Sequence, residues 1–289
     1  MMTPMSLSRA TRRLGLRAAL GATVLLAGAA QASAQDWRTL SRSREYRGEE
    51  SLAVSIEYGA GRLEVQPGAD NVLYRTNLRY DADVFEPDFS YSGNRLKLAF
   101  KDGRIEGRNV KGGTLALQLG PRTPVDLELQ FGAAQAEIEL GGLRLQNLSV
   151  TTGASATQLR MSKPNLVEAE AVEIQAGAAK LEAWHLANYR TATLEVSGGV
   201  GEVLLDFSGE WTRDLDASIE MGLGSLTLQV PRGLGVKVTR SGFLAGFNGE
   251  GLIKRGNVYY SEHYEQARHH LTVDLDAALG SVRVVWVDG

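Results

Sequence analysis

The sequence predicts an all-β protein, specifically a β-solenoid of stacked coils of about 21–24 residues with an N-terminal β cap module. From Leu127 to Val230 one pattern recurs: apolar residues at alternate positions, a glycine, a small residue two positions later, and apolar residues at alternate positions again. Alternation with a period of two indicates strands with one buried face, and repetition at a nearly fixed spacing indicates a repeat protein. The repeated glycines, called anchor glycines below, are Gly132, Gly153, Gly177, Gly199 and Gly222.

Each repeat is interpreted as a strand, a sharp corner and a second strand. Every column of the alignment is chemically uniform; three residues before the anchors it contains Leu129, Val150, Ile174, Val196 and Ile219. Two residues after the anchors stand Ala134, Ser155, Ala179, Gly201 and Gly224. We expect the anchor glycines to supply the positive φ of the corner and the small residues to permit close approach of neighbouring backbones.

A second corner is predicted 10 to 12 residues after each anchor, at residues that tolerate the left-handed conformation. These residues are Gly142, Asn165, Asn188, Gly209 and Gly233. The alternative architecture is an antiparallel sandwich of hairpins, since glycine between alternating strands is also a hairpin signal. Hairpins do not require each column to match its counterpart one period away, so the repeat favours the solenoid.

Residues 1–34 have the features of a secretory signal peptide. Four arginines precede the apolar run 18–30, and Ala32-Ser33-Ala34 has the small-x-small form of a cleavage site. Cleavage after Ala34 removes those four positive charges and no negative ones, which changes the formal net charge from −3 to −7. The expected location is periplasmic or extracellular, with no transmembrane anchor after cleavage; general secretory and twin-arginine export both stay open.

Residues 35–121 are predicted to form an N-terminal β module that packs on the solenoid and covers its end. The repeat occurs there once, from Leu52 to Val65, around Gly59. Further strands are expected over 72–80, 95–100 and 114–119, with a turn at Lys111-Gly112-Gly113.

The solenoid domain is assigned to residues 122–289, with an irregular excursion over 231–270. Residues 259–268 are expected to include one or two helical turns. The repeat returns at the C-terminus with Ala278 in place of the anchor glycine. This copy is predicted to form the last coil, with Trp286 covering its open end.

Together with the solenoid copies, two segments resemble the bacterial toast-rack family: GEESLAVSIEYGAGRLEVQPG and FNGEGLIKRGNVYYSEHYEQARHHLTVDLDAALGSVRVVW. The resemblance covers about residues 45–289 and extends to the C-terminal region of LiaF-type cell-wall stress regulators and to adhesin-like β-solenoid proteins. It implies an envelope protein without known catalytic residues. LiaF-type regulators carry transmembrane helices before this domain, which this sequence lacks.

One pair of carboxylates was considered for catalysis. Glu173 and Glu195 stand four residues before their anchors and would be neighbours on adjacent coils. Two carboxylates that close can raise one pKa enough for general acid chemistry or cation binding. Lys180, on the same coil as Glu173, is expected to neutralise the pair, so no catalytic residue is assigned.

No metal or cofactor is predicted. Asp214 with Asp216, and Asp274 with Asp276, offer fewer oxygen ligands than calcium requires. The four histidines, His185, His263, His269 and His270, lack the spacing of a zinc site. The chain has no cysteine, and Gly222-Leu223-Gly224-Ser225 is a corner of the repeat rather than a serine-nucleophile motif.

A secreted chain of negative net charge is not expected to bind nucleic acid. Five aromatic residues cluster after the repeats and are expected to pack against the solenoid end: Phe243, Phe247, Tyr259, Tyr260 and Tyr264.

The function predicted is a non-enzymatic, secreted or periplasmic envelope protein that serves as a structural or protein-interaction module, with a link to the envelope stress response. Its expected partner is another envelope protein, and its oligomeric state is open. The alternatives are a polysaccharide-binding or polysaccharide-cleaving β-helix protein and an adhesin-like surface protein.

Overall fold

The structure is a computed structural model that describes residues 36–101, 112–242 and 244–288. The predicted signal peptide, Lys111 of the predicted turn and Phe243 of the aromatic cluster lie outside these residues. Within them the chain is all-β, as predicted, and its helices are two short 3-10 helices, Leu186–Tyr189 and Tyr264–Gln266. The strands are β1 Trp37–Glu45, β2 Leu52–Pro67, β3 Val72–Asp81, β4 Glu86–Ser92, β5 Arg95–Lys101, β6 Gly113–Leu119, β7 Pro124–Glu139, β8 Arg144–Arg160, β9 Ala171–Trp184, β10 Thr193–Asp206, β11 Leu215–Pro231, β12 Gly235–Ser241, β13 Leu244–Asn248, β14 Leu252–Arg255, β15 Val258–Ser261 and β16 His270–Val287.

Seven long strands, each of which contains one copy of the repeat, form a parallel stack in the order β2-β7-β8-β9-β10-β11-β16. Each copy pairs with its neighbour in parallel along both halves of the strand, before and after the bend. Hairpins pair antiparallel, so the hairpin-sandwich alternative does not describe this region.

The register of the stack places equivalent columns of the repeat side by side. Val150 pairs with Ile174, which pairs with Val196, which in turn pairs with Ile219. Six residues after the anchors, Leu159, Ala183, Leu205 and Leu228 pair in the same way, and all eight side chains are at most 2% exposed. These columns belong to one hydrophobic cluster that runs from Leu52 to Val284. Burial of this continuous core is the main favourable contribution to folding.

At the first corner, both small positions lie where the layers approach closely, but the positive φ predicted for the anchor occurs at the second small position instead. The anchor glycines have ordinary φ values, and a Cβ on Gly199 or Gly222 would lie 2.7 or 2.5 Å from the carbonyl oxygen of the anchor below. Positive φ occurs two residues later, at 139° in Gly201 and 142° in Gly224, whereas Ala179 in the same column is not strained. The anchors are therefore glycine because the layers approach closely.

The second corners also differ from the expectation. Gly142, Gly209 and Gly233 do have positive φ, but Asn165 and Asn188 do not. Both asparagines are buried, and their amide groups connect layers. The backbone N–H of Leu145 donates to Asn165 Oδ1, and Asn165 Nδ2 donates to the carbonyls of Leu145 and Tyr189, at 2.8, 2.8 and 3.3 Å. Asparagine is present because it satisfies buried backbone groups, not because it tolerates the left-handed region.

The N-terminal copy of the repeat packs directly on the main series, although 73 residues separate Gly59 from Gly132. Its strand β2 pairs with β7 on one side. On the other side, β5 pairs with the first half of β2 and β6 with the second half, both in parallel. Antiparallel strands follow outside them: β4 on β5, and β3 and then β1 on β6.

The C-terminal copy is not the last layer, which corrects the prediction. Strand β16 lies between β11 on one side and β12 with β13 on the other. The segment interpreted as an irregular excursion therefore supplies the next layer, with Gly242, at a φ of 109°, between its two strands. Trp286 donates from Nε1 to the carbonyl of Glu250 at 2.7 Å, so it packs against this segment rather than covering an open end. The reason is non-local: β16 and the β12/β13 pair have similar alternating patterns, so the order in which they stack is not determined by either pattern.

The close approach at the bend predicts a large effect for one substitution. Gly224→Ala places a Cβ against the carbonyl oxygen of Gly201 at a φ of 142°, and it should lower the free energy of unfolding by about 3 kcal/mol or more. Ala179→Gly, in the same column, is the matched control and should cost only about 0.5–1 kcal/mol. Urea unfolding of both variants measures the difference, and equal losses would contradict the close-approach explanation.

The buried Asn165 at the second corner predicts a second large loss of stability. Asn165→Ala leaves the buried N–H and C=O of Leu145 without their partner, and should reduce stability by about 2–4 kcal/mol. Asn147→Ala serves as the control, because half-buried Asn147 bonds only the Asp126 side chain, at 2.8 Å, and its loss should cost about 1 kcal/mol or less. Thermal and urea unfolding test the contrast; a change at Asn165 no larger than that at Asn147 would show that the amide is not required.

Candidate interaction surface

The bends of successive layers form a groove along the outside of the stack. Its larger part has a volume of about 620 Å³ and runs from Thr151 to Ala278, with Gly177, Gly199 and Gly222 along its floor. A second part of about 340 Å³ continues it towards the N-terminal end, past Gly59 and Gly132, and shares Thr151. Because the floor residues lack side chains, the backbone at the bend is open to a ligand.

One side of the groove is polar and negatively charged. The outward positions two, four and six residues before the anchors in β7 to β11 and β16 contain no Lys or Arg, whereas eight of them contain Asp or Glu. A face of one charge attracts groups of the opposite charge and repels its own. The eight carboxylates are Asp126, Glu128, Glu173, Glu195, Asp216, Glu220, Asp274 and Asp276.

The surface one residue beyond the groove floor is apolar. Val200, Leu223 and Leu279 follow their anchors by one residue, pair with one another in register, and are 52%, 48% and 47% exposed. Leu244 of β13 pairs with Leu279 and is 72% exposed. Six large apolar side chains are clearly exposed in the described part of the chain, and these four form one row, called the apolar row below. Such concentration differs from the usual scatter of single surface apolar residues.

The carboxylate pair considered for catalysis is adjacent, but its predicted neutralising partner is not there. Glu173 and Glu195 pair in register, and Glu173 accepts a hydrogen bond of 2.5 Å from Gln175. Lys180 lies beyond the bend and forms an ion pair of 2.8 Å with Glu182 instead. That hydrogen bond raises the pKa of Lys180 and lowers that of Glu182. The bend lies between Glu173 and Lys180 and separates the two halves of β9, so Lys180 is not beside the carboxylate pair.

The aspartates and histidines considered for metal binding have other contacts. Asp214 accepts a hydrogen bond of 2.8 Å from the backbone N–H of His270 and lies within 4 Å of the rings of His269 and His270. Asp274 and Asp276 pair with Ser218 and Glu220 on the acidic side of the groove. Among the described residues, no group of three His, Cys, Asp or Glu side chains is arranged to hold a metal ion.

One Ser-His-Asp group was missed by the sequence analysis. Ser208 Oγ lies 2.5 Å from Asp206 Oδ2 and 2.9 Å from His185 Nδ1. Since the hydroxyl donates to the carboxylate, it accepts from the imidazole, which is the reverse of the arrangement that activates a serine nucleophile. Asp206 also accepts from the backbone N–H of His185, at 3.1 Å, so the group connects the ends of β9 and β10. An alignment of the copies on their anchors places His185 beside Phe207, which Asp206 and Ser208 flank. This alignment would have brought the three residues of the group together.

The aromatic residues of the last layer form two separate sets of ring contacts. Phe247 and Tyr259 lie 4.6 Å apart and pack against the core. Tyr264 contacts Tyr260 and His270, with ring centroids 5.2 and 4.8 Å away.

The sequence matches the profile of the family described as the N-terminal domain of toast_rack, DUF2154, over residues 30–183 and 171–229. The chain belongs to the toast-rack family. No curated protein matches it at a significant level of sequence similarity. Within the described residues of this toast-rack protein, no helix is long and apolar enough to cross a membrane.

Solved structures similar to this toast-rack protein include three bacterial proteins. A candidate cell adhesion protein from Clostridium sporogenes is 16% identical, with a TM-score of 0.44 and coverage of 87% of this chain and 100% of that chain. A candidate adhesin from Bacteroides fragilis is 13% identical, with a TM-score of 0.34 and coverage of 86% and 97%. A candidate lipid-binding protein from Parabacteroides distasonis is 11% identical, with a TM-score of 0.25 and coverage of 85% and 96%.

Proposed function

We propose that this toast-rack protein is a non-enzymatic module of the bacterial envelope that binds a protein partner along the groove at the bends. In this proposal residues 122–289 form a β-solenoid, and the N-terminal module, residues 35–121, covers its first end. The rigid stack holds the two sides of the groove at a fixed separation, which lowers the entropic cost of binding.

The observation that carries the proposal is the apolar row. Four large aliphatic side chains in register are exposed together, next to strand halves whose outward positions before the bend are polar or small. Their exposure is unfavourable in water, and burial against a partner would recover about 1.5–3 kcal/mol for each side chain that is fully covered. Neither stacking nor the core requires large side chains here, because the same column contains alanine in the earlier layers, at Ala133, Ala154 and Ala178.

The charge of the groove specifies the kind of partner. The acidic side favours basic residues, so the partner segment should present aliphatic side chains flanked by Lys or Arg. Glu220 and Asp276 pair in register and line the groove, and Leu223 and Leu279 directly follow the floor residues Gly222 and Ala278, so both contributions can act on one segment.

Self-association through sheet edges is disfavoured by the edge strands themselves. In the order of the sheet the outermost strands are β1 and β14. Strand β1 carries Arg38, Arg42 and Arg44, and β14 carries Lys254 and Arg255. Positive charge on β1 and β14 opposes the pairing of these two edges with one another. Strands β4 and β13 also pair on one side only and carry no Lys or Arg, so this argument does not extend to them.

The proposed location is the periplasm or the exterior of the cell, after removal of residues 1–34. The arginines, apolar run and small-x-small site at the N-terminus support it. N-terminal sequencing of protein recovered from outside the cytoplasm should begin at Gln35; a mature chain that begins at Met1 would contradict it.

The interface is tested in cells with a photo-crosslinking amino acid at position 223. Covalent capture of one envelope protein is expected there. It should be absent with the same amino acid at Thr227, which lies on the same strand beyond the bend. Recovery of glycan alone from position 223 would instead support the polysaccharide-binding alternative.

The contribution of the apolar row is tested by substitution. Leu223→Glu should weaken binding of the captured partner about 10-fold or more, because a buried aliphatic contact is lost and a charge is added on a face that is already negative. Leu166→Glu is the matched control, since Leu166 is 50% exposed against 48% for Leu223 but stands outside the row. Equal weakening by both variants would contradict an interface at the groove.

The link to the envelope stress response rests on the resemblance to LiaF-type regulators, and the identity of the captured partner decides it. Capture of a sensor kinase or of its membrane regulator would support the link. Capture of a structural envelope protein would count against it and leave the interaction module intact.

A further inference from the structure

The last layer of the stack has an open cavity that does not contribute to the groove. It has a volume of about 410 Å³ and lies between β12 and the β14–β15 hairpin. None of its lining residues lines the groove. They are Arg240, Ser241, Gly242, Lys254, Asn257 and Tyr259.

The lining is rich in hydrogen-bond donors and contains no carboxylate. Its five side chains comprise a guanidinium, an ammonium, two hydroxyls and a carboxamide, all of which donate hydrogen bonds. The guanidinium and the ammonium cannot accept one. In a chain with 34 acidic and 31 basic residues, a cavity with two cations and no acid is a local reversal of the overall charge.

The two cations are positioned but not neutralised. Arg240 donates from Nη2 to the carbonyl of Ala245 at 2.9 Å, and its guanidinium lies 4.8 Å from the ring centroid of Phe247. These contacts fix the side chain and leave further N–H groups for a ligand. Lys254 lies over the ring of Tyr259 at 5.7 Å.

Neither cation forms an ion pair with a carboxylate in the described parts of the chain, whereas Arg62, Lys97, Lys101, Lys180 and Arg213 all do. Asp276 pairs in register with Ser241 but is not part of the cavity lining. The positive charge of the cavity is therefore available to an anion.

We propose that this cavity binds a phosphate group carried on a larger organic molecule. A tetrahedral phosphate presents several oxygens to donors that converge from different strands, and the fork of Arg240 matches two of them. A single carboxylate has two oxygens in one plane and cannot engage donors from both β12 and the β14–β15 hairpin equally well. The cavity is also larger than one phosphate, which leaves room beside Tyr259 for the group that carries it.

The test uses purified protein and three probes: inorganic phosphate, glycerol 3-phosphate and vesicles of phosphatidylglycerol. Calorimetry or thermal shift should show saturable binding of at least one probe with a Kd below about 1 mM. Acetate at the same ionic strength should bind at least about 10-fold more weakly than the best probe. Binding of glycerol 3-phosphate without vesicles identifies a soluble or polymer-borne phosphoester, and binding of vesicles identifies a lipid headgroup.

Lys254→Gln is the decisive variant. It removes one exposed charge without removing a core side chain, and should weaken binding about 10-fold because one charge-assisted hydrogen bond is lost. Lys163→Gln, an exposed lysine outside the cavity, is the control and should bind as the unmodified protein does. Arg240→Lys keeps the charge but loses the fork, and should also weaken binding. Absence of binding by every probe, or equal weakening by Lys254→Gln and Lys163→Gln, would overturn the proposal.

Discussion

The closeness of stacked backbones at the bend is the constraint on which the rest of the structure depends. A Cβ on Gly224 would overlap the carbonyl oxygen of Gly201, and a Cβ on Gly280 would overlap that of Gly224. Each layer thus limits the register in which the next layer can pair with it. A shift of one residue would bring a side chain into this contact and would turn every apolar side chain to the opposite face, so the glycine contacts and the alternating pattern favour the same register. That register then fixes the core inside the stack and, outside it, the acidic side of the groove and the apolar row.

Much of the repeated part was predictable because its information is local and repeated. The columns around Val150, Ile174 and Val196 predicted which residues face the core and which copies are neighbours. The order of the last layers was not predictable, because β16 and β12 both alternate with a period of two and nothing in either pattern says which one follows β11. The second corners were predicted at the right positions with the wrong reason for asparagine. Asn165 is selected by backbone groups of other layers, and its own segment contains no sign of them.

Only part of the candidate surface was predicted from the sequence. Of the acidic positions, Glu173 and Glu195 were recognised as neighbours on adjacent layers because they stand in one column of the repeat. The apolar row was overlooked because a residue that follows a glycine at a bend belongs to neither alternating series, although the column that contains Val200, Leu223 and Leu279 was present in the alignment. The cavity of the last layer was not predictable. Arg240 and Lys254 are brought together by the antiparallel pairing of β12 with β15 and of β15 with β14, within a segment that has no repeat to align.

The position of β16 has a consequence for how the chain folds. Strand β16 lies between two strands that are synthesised before it, so the edge of β11 and the edge of β12 must both stay open until β16 emerges. Layers β7 to β11 are consecutive in the sequence, so each can pair with the previous layer as the chain emerges. The end of the stack closes only in one late, non-local step. During this interval two unpaired edges are exposed together, which is the period of greatest risk of mispairing with another chain. Completion of this end of the stack is thereby coupled to the synthesis of β16.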